Sequence, residues 1–372
     1  MNEDRSVRYH RLHRRAAIAS TLMGTAWLVG LAATGAAGAL AARAQGIGAS
    51  LPSPIGRIVT VAVFIALIAI GWELLSLPLV VYRNFLLERQ YGLSSERLPA
   101  WIRDHLKALA VGLLLTIAAG LAVYGAIGLA GDAWWALGAI LFAAAGALLS
   151  GLAPVVLMPL FYRFRPLERH ALRERLVALS DHAGVPVLGA FEWGLGEKTT
   201  RANAALVGVG RTRRIILSDT LLEHYTDDEI EVILAHEIAH HVHHDIWSAL
   251  ALETLIVAAA LLGAHAAVIW IGGPAVTGPQ DLAALPLMTL AAGAVSLLLT
   301  PLGNAWSRHN ERRADRFALT LTGRPAAFIS AIRRLGAQNL AEERPSTTVL
   351  WFFHTHPTID ERIAAAKAFE AA

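Results

Sequence analysis

Six stretches of this chain are apolar over a length that would cross a lipid bilayer. They span 16–42, 58–81, 107–130, 133–160, 248–272 and 285–303. A transmembrane helix needs about 20 consecutive apolar residues, and in lipid a helix satisfies its own backbone hydrogen bonds. The composition agrees, because 55% of the 372 residues are hydrophobic and 16% are charged, against about a quarter charged in soluble domains. We therefore expect a mainly α-helical, polytopic membrane bundle of about six spans, with seven as the alternative.

The distribution of basic residues predicts which side of the membrane each loop faces. Basic residues concentrate before the first span and between the second and third: Arg5, Arg8, Arg11, Arg14, Arg15, Arg83, Arg89, Arg97, Arg103 and Lys107. The loops at 131–132 and 273–284 carry none. Because short basic loops stay in the cytoplasm, both termini and residues 82–106, 161–247 and 304–372 are expected there. The net charge of +3 then reflects orientation, and no nucleic-acid partner is expected.

After the fourth span the pattern changes to short alternating segments. Pro166 can open a helix over 167–183, and Asp219 is placed to cap a short helix. Three short strands are predicted: 187–193, 204–209 and 214–217. The chain contains no cysteine, which excludes disulfides, thiolate ligands and a cysteine nucleophile.

The segment HEIAH, which begins at His236, matches the HExxH pattern of zinc peptidases. A spacing of four residues puts His236 and His240 on one helix face, where both can reach a single ion. Glu237 lies beside them and can act as a general base on a water molecule without being a ligand. Thr226 with Glu229 makes a capping box for this helix. The pattern also occurs by chance, so its context must support it.

The chain must supply a third ligand, because catalytic zinc usually has three protein ligands and one open position. The metzincin extension needs glycine at 243 and histidine at 246, where this chain has His243 and Ile246. A distant carboxylate is therefore expected, and Glu311 in the segment SRHNERRAD is the best candidate. Asp315 shares its helical face and can orient a histidine ligand through the free ring nitrogen. The alternative is an ordinary charged helix.

Three further histidines crowd this segment without fitting the geometry of the site: His241, His243 and His244. We expect them to form a solvated helix end near the membrane surface. The alternative is a supporting or proton-transfer role beside the metal.

Taken together, these segments resemble the integral-membrane type I CAAX prenyl endopeptidases and their bacterial relatives. HEIAH, two apolar spans and SRHNERRAD follow one another in the family's order. Four more segments are similar to the family's sequences: PLVVYRNFLLERQYGLS (78–94), PLFYRFRPLE (159–168), NAALVGVGRTRRIILSDTLL (203–222) and HTHPTIDERI (354–363). The resemblance implies a helical membrane protein with a small α+β, gluzincin-type zinc peptidase part. Its site would open on an enclosed intramembrane chamber.

The resemblance also implies a role for each matching residue near the metal. His236, His240 and Glu311 would be the ligands of one Zn²⁺ per chain, and Glu237 would activate the water. Asp315 falls on the family's second acidic position, which is often assigned as a proton donor, whereas its spacing suggests that it orients a ligand.

Three other residues fall on family positions that contact the substrate. Asn203 would pair with the substrate backbone at a strand edge. His356 and Arg362 would stabilise the tetrahedral oxyanion. The chain departs from the family at 199–202, where it has TTRA in place of the frequent Ser-Ser-His-Ser. This departure bears on whether prenylated substrates are used and leaves hydrolysis itself unaffected.

The sequence therefore predicts a zinc metalloendopeptidase that cleaves peptide bonds at or in the membrane. We expect two domains: a membrane region of four spans over 1–160, and a zinc peptidase domain over 161–372 that includes two spans at 248–303. The expected partners are the bilayer and a peptide or protein substrate, with or without a lipid.

Two other functions were weighed against this one. A zinc transporter or sensor using the histidine cluster should place its ligands near the middle of the spans, and these ligands flank them. A site-2-type intramembrane protease needs HExxH within an apolar span. The composition, rich in Ala, Gly and Arg, suggests the inner (plasma) membrane of a bacterium. There, membrane-protein quality control or peptide processing is favoured over CAAX processing.

Overall fold

The computed structural model describes residues 4–273 and 276–371, most of them in helices. Five continuous helical stretches are long and apolar enough to cross a membrane: Arg5–Ala33, Ile55–Gln90, Leu98–Phe161, Asp245–Ile271 and Leu282–Thr322. The third stretch reverses direction at Gly131, which has a φ of 52°. The Nζ atom of Lys107 consequently lies 3.0 Å from the carbonyl oxygen of Leu160. This stretch therefore holds two of the predicted spans, and the expectation of a helical membrane bundle is confirmed.

The N-terminal region is built from helices alone. They are α1 (Arg5–Ala33), α2 (Ala36–Gly48), α3 (Ile55–Val81), α4 (Leu87–Gln90), α5 (Leu98–Ala130), α6 (Trp134–Leu152) and α7 (Met158–Phe161). Short π-helical turns at Tyr82–Leu86 and Ala153–Leu157 join α3 to α4 and α6 to α7. Because these turns keep the chain helical, each pair forms one continuous helical stretch.

The first predicted span, 16–42, is interrupted in the structure. The hydroxyl of Thr34 bonds back to the carbonyl oxygen of Gly30 at 2.6 Å, and Gly35 has a φ of 73°. This left-handed conformation favours glycine and ends the helix. The following helix, α2, has 13 residues and a length of about 20 Å, which is less than the hydrocarbon thickness of a bilayer.

A four-stranded sheet follows the membrane region. Its strands are β1 (Phe164–Pro166), β2 (Ala190–Trp193), β3 (Ala204–Val207) and β4 (Arg214–Ser218). The order is β1-β2-β4-β3, with β2 parallel to β4 and the other neighbours antiparallel. The three predicted strands are confirmed: the first two are shorter than predicted, and the third extends one residue further, to Ser218. Strand β3 lies at an edge of the sheet.

The remaining helices are α8 (His170–His182), α9 (Asp219–His224), α10 (Asp227–Val242), α11 (Asp245–Ile271), α12 (Leu285–Thr322), α13 (Pro325–Gln338), α14 (Thr347–Phe353) and α15 (Ile359–Glu370). Two local predictions are wrong. Pro166 ends strand β1 and does not open a helix, since α8 begins at His170. The cap of α9 is the hydroxyl of Ser218, which accepts a hydrogen bond from the backbone of Leu221, and not the carboxylate of Asp219.

The apolar core of this part lies between the sheet and helices α8, α10 and α13. Its fully buried side chains include Leu172, Leu176, Ile215, Leu217 and Ile230. Helices α11 and α12 pack along each other as a membrane hairpin, and α12 continues beyond the bilayer to lie against α10. The hairpin thereby places α10 and α12 side by side.

Candidate active site

Helix α10 carries the HEIAH segment through the core. Its start is fixed by the predicted capping box: the Thr226 hydroxyl accepts from the Glu229 N–H at 3.3 Å, and the Glu229 carboxylate accepts from the Thr226 N–H at 2.9 Å. Beyond the cap, apolar side chains such as Ile230 and Ile238 are fully buried. A helix that is apolar on most sides is buried on most sides by its neighbours. This packing fixes the position of the helix and therefore of the His236 ring that it carries.

The structure brings the three predicted metal ligands together. The Nε2 atom of His236 lies 3.3 Å from one carboxylate oxygen of Glu311, and the Nε2 atom of His240 lies 3.6 Å from the other. One ligand atom from each residue falls within 4.8 Å of the others. Two imidazoles and a carboxylate converging on one point form a group that could hold a metal ion.

Each of the two histidines also contacts a carboxylate through its other ring nitrogen. The Nδ1 atom of His236 lies 2.9 Å from Asp315, and the Nδ1 atom of His240 lies 2.8 Å from Asp245. A hydrogen bond on Nδ1 turns the Nε2 lone pair toward the metal and fixes the tautomer. The arrangement therefore leaves both Nε2 atoms available as ligands.

These two carboxylates are held in turn by arginines. Arg362 donates two hydrogen bonds to Asp315, from Nε at 2.9 Å and from an Nη atom at 2.5 Å. Arg313 donates a hydrogen bond to Asp245, at the carboxylate oxygen that His240 does not contact. Asp315 and Asp245 are both buried, and a buried carboxylate needs such partners to remain charged.

The electrostatic environment of the histidine and glutamate side chains favours a cation. Burial lowers the pKa of His236, but its contacts with the carboxylates of Asp315 and Glu311 outweigh that effect and raise the pKa to about 9. Burial raises the pKa of the Glu237 carboxyl, against the opposing charges of His236 and His240. The raised pKa of His236 means that positive charge is stabilised where the ligands converge, whereas the raised pKa of Glu237 means that its neutral form is favoured relative to an exposed glutamate.

An unpartnered carboxylate oxygen of Glu311 is a further observation that fits a metal at this site. The Oε2 atom of Glu311 is buried and has no hydrogen-bond partner among the described residues. The Nδ1 atom of His356 approaches it to 2.8 Å, but in a direction that makes no hydrogen bond. A buried carboxylate oxygen without a donor is costly, and a cation between Glu311 and the two histidines would compensate for it.

A cavity of about 620 Å³ opens from the ligands. Glu237, Asn203, His356 and Arg362 all line it, together with two of the predicted ligands, His236 and Glu311. The side chain of His356 is 64% exposed, whereas Arg362 is held by its ion pair with Asp315. The structure therefore places six of the eight predicted site residues around one cavity. The other two, His240 and Asp315, contact Glu311 and His236 respectively without lining it.

The edge strand β3 offers backbone groups to this cavity at one position. Asn203 directs its carbonyl oxygen to β4, where it accepts from the Ser218 N–H at 2.9 Å. Since alternate residues of an antiparallel strand face the partner, Ala204 directs its backbone groups away from β4. The next outward carbonyl, that of Leu206, is bonded to the Nε2 atom of His241 at 2.7 Å. Ala204 is therefore the free position of the strand that lies in the cavity.

The expectation of a solvated histidine cluster is wrong for His241 and His243. His241 is buried on the carbonyl of Leu206, and burial lowers its pKa. The ring of His243 packs edge-to-face against Phe317, and burial lowers its pKa as well. His244 is exposed, in a left-handed turn with a φ of 57°. This turn ends α10 and sends the chain into α11.

Sequence reasoning missed the role of Asp245. The residue lies five positions after His240, so on a continuous helix it would face away from the ligand. The left-handed turn at His244 brings the Asp245 carboxylate back beside the His240 ring. The sequence signal that could have predicted this contact is a carboxylate directly after a histidine-rich helix end, and that signal is weak.

Known proteins share this sequence pattern and fold. Residues 166–370 match the model of peptidase family M48, and residues 2–163 match a model described as "CAAX prenyl protease N-terminal, five membrane helices". The Bacillus subtilis (strain 168) protein "Uncharacterized metalloprotease YhfN" is 29% identical over 314 residues, covering 83% of this chain and 74% of the relative. The "CAAX prenyl protease 1 homolog" of Oryza sativa subsp. japonica is 27% identical, covering 81% and 72%. The crystal structure of S. mikatae Ste24p has the same fold, with a TM-score of 0.82 at 22% identity over 97% of this chain and 87% of that one.

Proposed function

Because this chain belongs to peptidase family M48 and is a membrane metalloprotease, we propose that it is a zinc endopeptidase that acts at the cytoplasmic face of a bacterial inner membrane. One observation carries the proposal. The ligand atoms of His236, His240 and Glu311 converge within 4.8 Å, and Glu237 lines the cavity that opens from them.

Two imidazoles and one carboxylate are a common protein ligand set for catalytic zinc, with a fourth position left open. His236, His240 and Glu311 would hold one ion per chain. When bound, the ion supplies Lewis-acid polarisation of the scissile carbonyl group. Asp315 and Asp245 keep the two histidine rings in the tautomer that presents Nε2.

Glu237 is the proposed general base. Its carboxylate takes a proton from the attacking water and passes it to the leaving amine. Burial raises the pKa of Glu237, so its carboxylate takes up a proton more readily than an exposed glutamate does. That higher proton affinity suits a group that must accept a proton from water.

The proposed oxyanion contacts are Arg362 and His356. Arg362 is held rigidly by two hydrogen bonds to Asp315, so it needs little reorganisation when negative charge develops. His356 contacts Glu311 through Nδ1, and its side chain is 64% exposed, so its ring is accessible to a substrate in the cavity. Asp315 is already engaged by His236 and Arg362. We assign it the role of orienting these two side chains, and not that of donating a proton to the leaving amine.

Asn203 and the free backbone of Ala204 are the proposed docking site for the substrate chain. An extended peptide can add to a sheet edge through backbone hydrogen bonds. The Asn203 amide lies in the same cavity as Glu237. A peptide on Ala204 would consequently pass in front of the ligands.

The proposed domains are 1–160 and 161–372, a division supported by the boundary between the two matching family models near residues 163 and 166. The cytoplasmic orientation rests on the basic residues in the first turns of α1 and on those that follow α3. We favour unmodified peptides or membrane proteins as substrates over prenylated ones, because TTRA at 199–202 departs from the family. A zinc transporter or sensor is disfavoured, since the matching families are peptidases.

The test combines metal content with hydrolysis. Full-length protein purified in detergent is expected to contain one zinc per chain, and to cleave unmodified peptides faster than farnesylated ones. A strong chelator should abolish cleavage, and added zinc should restore it. Glu311→Ala is expected to lose the metal, because two ligands remain. Stoichiometric zinc in a folded Glu311→Ala protein would place the third ligand elsewhere, and cleavage that resists chelation would contradict the mechanism.

A further inference from the structure

The segment that brings His356 into the cavity has little apolar packing of its own. It begins with α14 (Thr347–Phe353), a helix of seven residues in which no side chain is buried. Trp351, Phe352 and Phe353 are all exposed. A short helix without a buried face is marginal, because helical stability in proteins comes mostly from tertiary packing. Other contacts must therefore hold α14, and with it His356, which follows three residues after the helix ends.

Helix α12 supplies these contacts as hydrogen bonds to backbone carbonyl groups. One Nη atom of Arg308 donates to the carbonyl oxygen of Leu350 at 3.0 Å and to that of His354 at 2.7 Å. The side-chain amide of Asn304 donates to the carbonyl oxygen of Trp351 at 2.8 Å. The last carbonyl groups of a helix have no intrahelical partner, and a cation near them also balances the negative end of the helix dipole. Arg308 thus caps the C-terminal end of α14.

The guanidinium group of Arg308 is directed at this segment alone. Arg308 is buried, and its guanidinium carbon lies 5.6 Å from the centre of the Trp351 ring. Within residues 4–273 and 276–371 it forms no ion pair, and its hydrogen bonds all go to α14 and to His354. Carbonyl oxygens and an aromatic face are the groups that make a buried guanidinium tolerable in the absence of a carboxylate. The burial of Arg308 therefore depends on the position of α14, and the position of α14 depends on Arg308.

The same face of α12 carries a proposed metal ligand. Arg308 and Glu311 are three residues apart, and residues with this spacing are neighbours on one side of a helix. The Nδ1 atom of His356 lies 2.8 Å from the Oε2 atom of Glu311. One rigid helix face thus holds Glu311 and fixes the segment that brings His356 beside it.

A second contact holds His354 from its other side. The Nε2 atom of its ring lies 3.4 Å from the carboxylate of Glu342, which is buried. Arg14 of α1 donates two hydrogen bonds to that carboxylate, at 2.5 and 3.2 Å. The backbone and the ring of His354 are therefore held by different helices, two residues before His356.

We propose that Arg308 is a positioning residue for peptide hydrolysis: through the carbonyl groups of Leu350 and His354 it holds His356 where the oxyanion develops. This inference rests on the proposed function and adds to it a residue that does not line the cavity. Because the oxyanion forms only in the transition state, the contribution of Arg308 should appear in kcat and not in KM.

The first test is kinetic and uses full-length, zinc-loaded protein in detergent with an internally quenched peptide. Arg308→Gln should lower kcat by about 10- to 100-fold and leave KM within about twofold, because a displaced oxyanion contact is lost in the transition state. Zinc content should stay at one ion per chain. Arg308→Lys keeps a cation and should restore part of kcat. Arg316→Gln removes an exposed arginine from the same helix and is the matched control.

A double-mutant cycle separates positioning from a general effect on folding. If Arg308 acts through His356, adding Arg308→Gln to His356→Ala should change kcat by less than about twofold, because the group that Arg308 positions is already absent. Losses that multiply in the double variant would show that Arg308 acts independently of His356 and would overturn the proposal.

The second test does not require hydrolysis. The chain has no cysteine, so Thr355→Cys, at an exposed position beside His356, can carry a single nitroxide spin label. Arg308→Gln should increase the mobility of this label in the electron paramagnetic resonance spectrum, and Arg316→Gln should leave the spectrum unchanged. An immobile label in Arg308→Gln, or normal kcat in that variant, refutes the positioning role while the peptidase stands. Absence of cleavage by the unmodified, zinc-loaded protein contradicts the peptidase function itself, and the inference with it.

Discussion

His240 and Asp245 lie 2.8 Å apart, from Nδ1 to a carboxylate oxygen, across the break between α10 and α11. The contact joins the end of the helix that carries the HEIAH segment to the start of a membrane span. Asp245 is also paired with Arg313 on α12. One buried carboxylate thus links three helices at the proposed metal site.

Replacing Asp245 should weaken metal binding without removing a ligand. In Asp245→Asn the charge behind His240 is lost, and the affinity for zinc is expected to fall by about 10- to 100-fold. Competition with a fluorescent zinc chelator gives the affinity, and circular dichroism verifies the fold. Asp360→Asn, an exposed aspartate on α15, is the control. An unchanged affinity in Asp245→Asn would mean that His240 is oriented by other contacts.

Replacing Glu237 should separate binding from catalysis. Glu237→Gln keeps the shape of the side chain but cannot accept a proton, so turnover should fall by at least about a hundredfold. Zinc content and peptide affinity should stay at the level of the unmodified protein. Turnover and metal content are measured on the same preparation. Near-normal turnover in a folded, metallated variant would refute the general-base role.

The capping glutamate of α10 should make stability depend on pH. Burial raises the pKa of Glu229, but its hydrogen bonds with Ser330 and Thr226 outweigh burial and lower the pKa below its ordinary value. Its contribution is therefore complete above the ordinary glutamate pKa and is lost as pH falls through the lower folded-state value.

Glu229→Gln should consequently destabilise the protein by about 0.5–2 kcal/mol at neutral pH, with a shallower loss of stability on acidification. Thermal unfolding in detergent, followed over a pH series, gives both quantities. The exposed Glu223→Gln serves for comparison. Identical pH profiles for Glu229→Gln and the unmodified protein would show that the carboxylate adds nothing through its ionisation.

The orientation in the membrane can be tested with single cysteines, because the chain has none. Gln280→Cys lies in the loop that precedes α12, and Glu174→Cys lies on α8; both positions are exposed. An impermeant maleimide should label Gln280→Cys in intact cells and Glu174→Cys only after the membrane is permeabilised. The reverse pattern would place the metal site outside the cytoplasm.

Features fixed by local sequence were predicted most accurately. The capping box at Thr226 and Glu229, the helix through His236 and the apolar spans each depend on residues a few positions apart. The pairing of His236 with Glu311 could be inferred because Glu311 was the best candidate among the distant carboxylates and shares a helical face with Asp315.

Features that depend on distant contacts or on unusual backbone conformations were not predictable. The burial of His241 follows from the position of β3, which the local sequence does not reveal. The turn at His244, which returns Asp245 to the site, uses a left-handed conformation that non-glycine residues rarely adopt. Strand β1 has three residues, too few to show a pattern.

The hairpin of α11 and α12 also determines when the site can exist. His240 precedes the hairpin and Glu311 follows it, so the ligands meet only after the chain has crossed the membrane and returned. We therefore expect insertion of this hairpin into the bilayer to be the step that assembles the metal site.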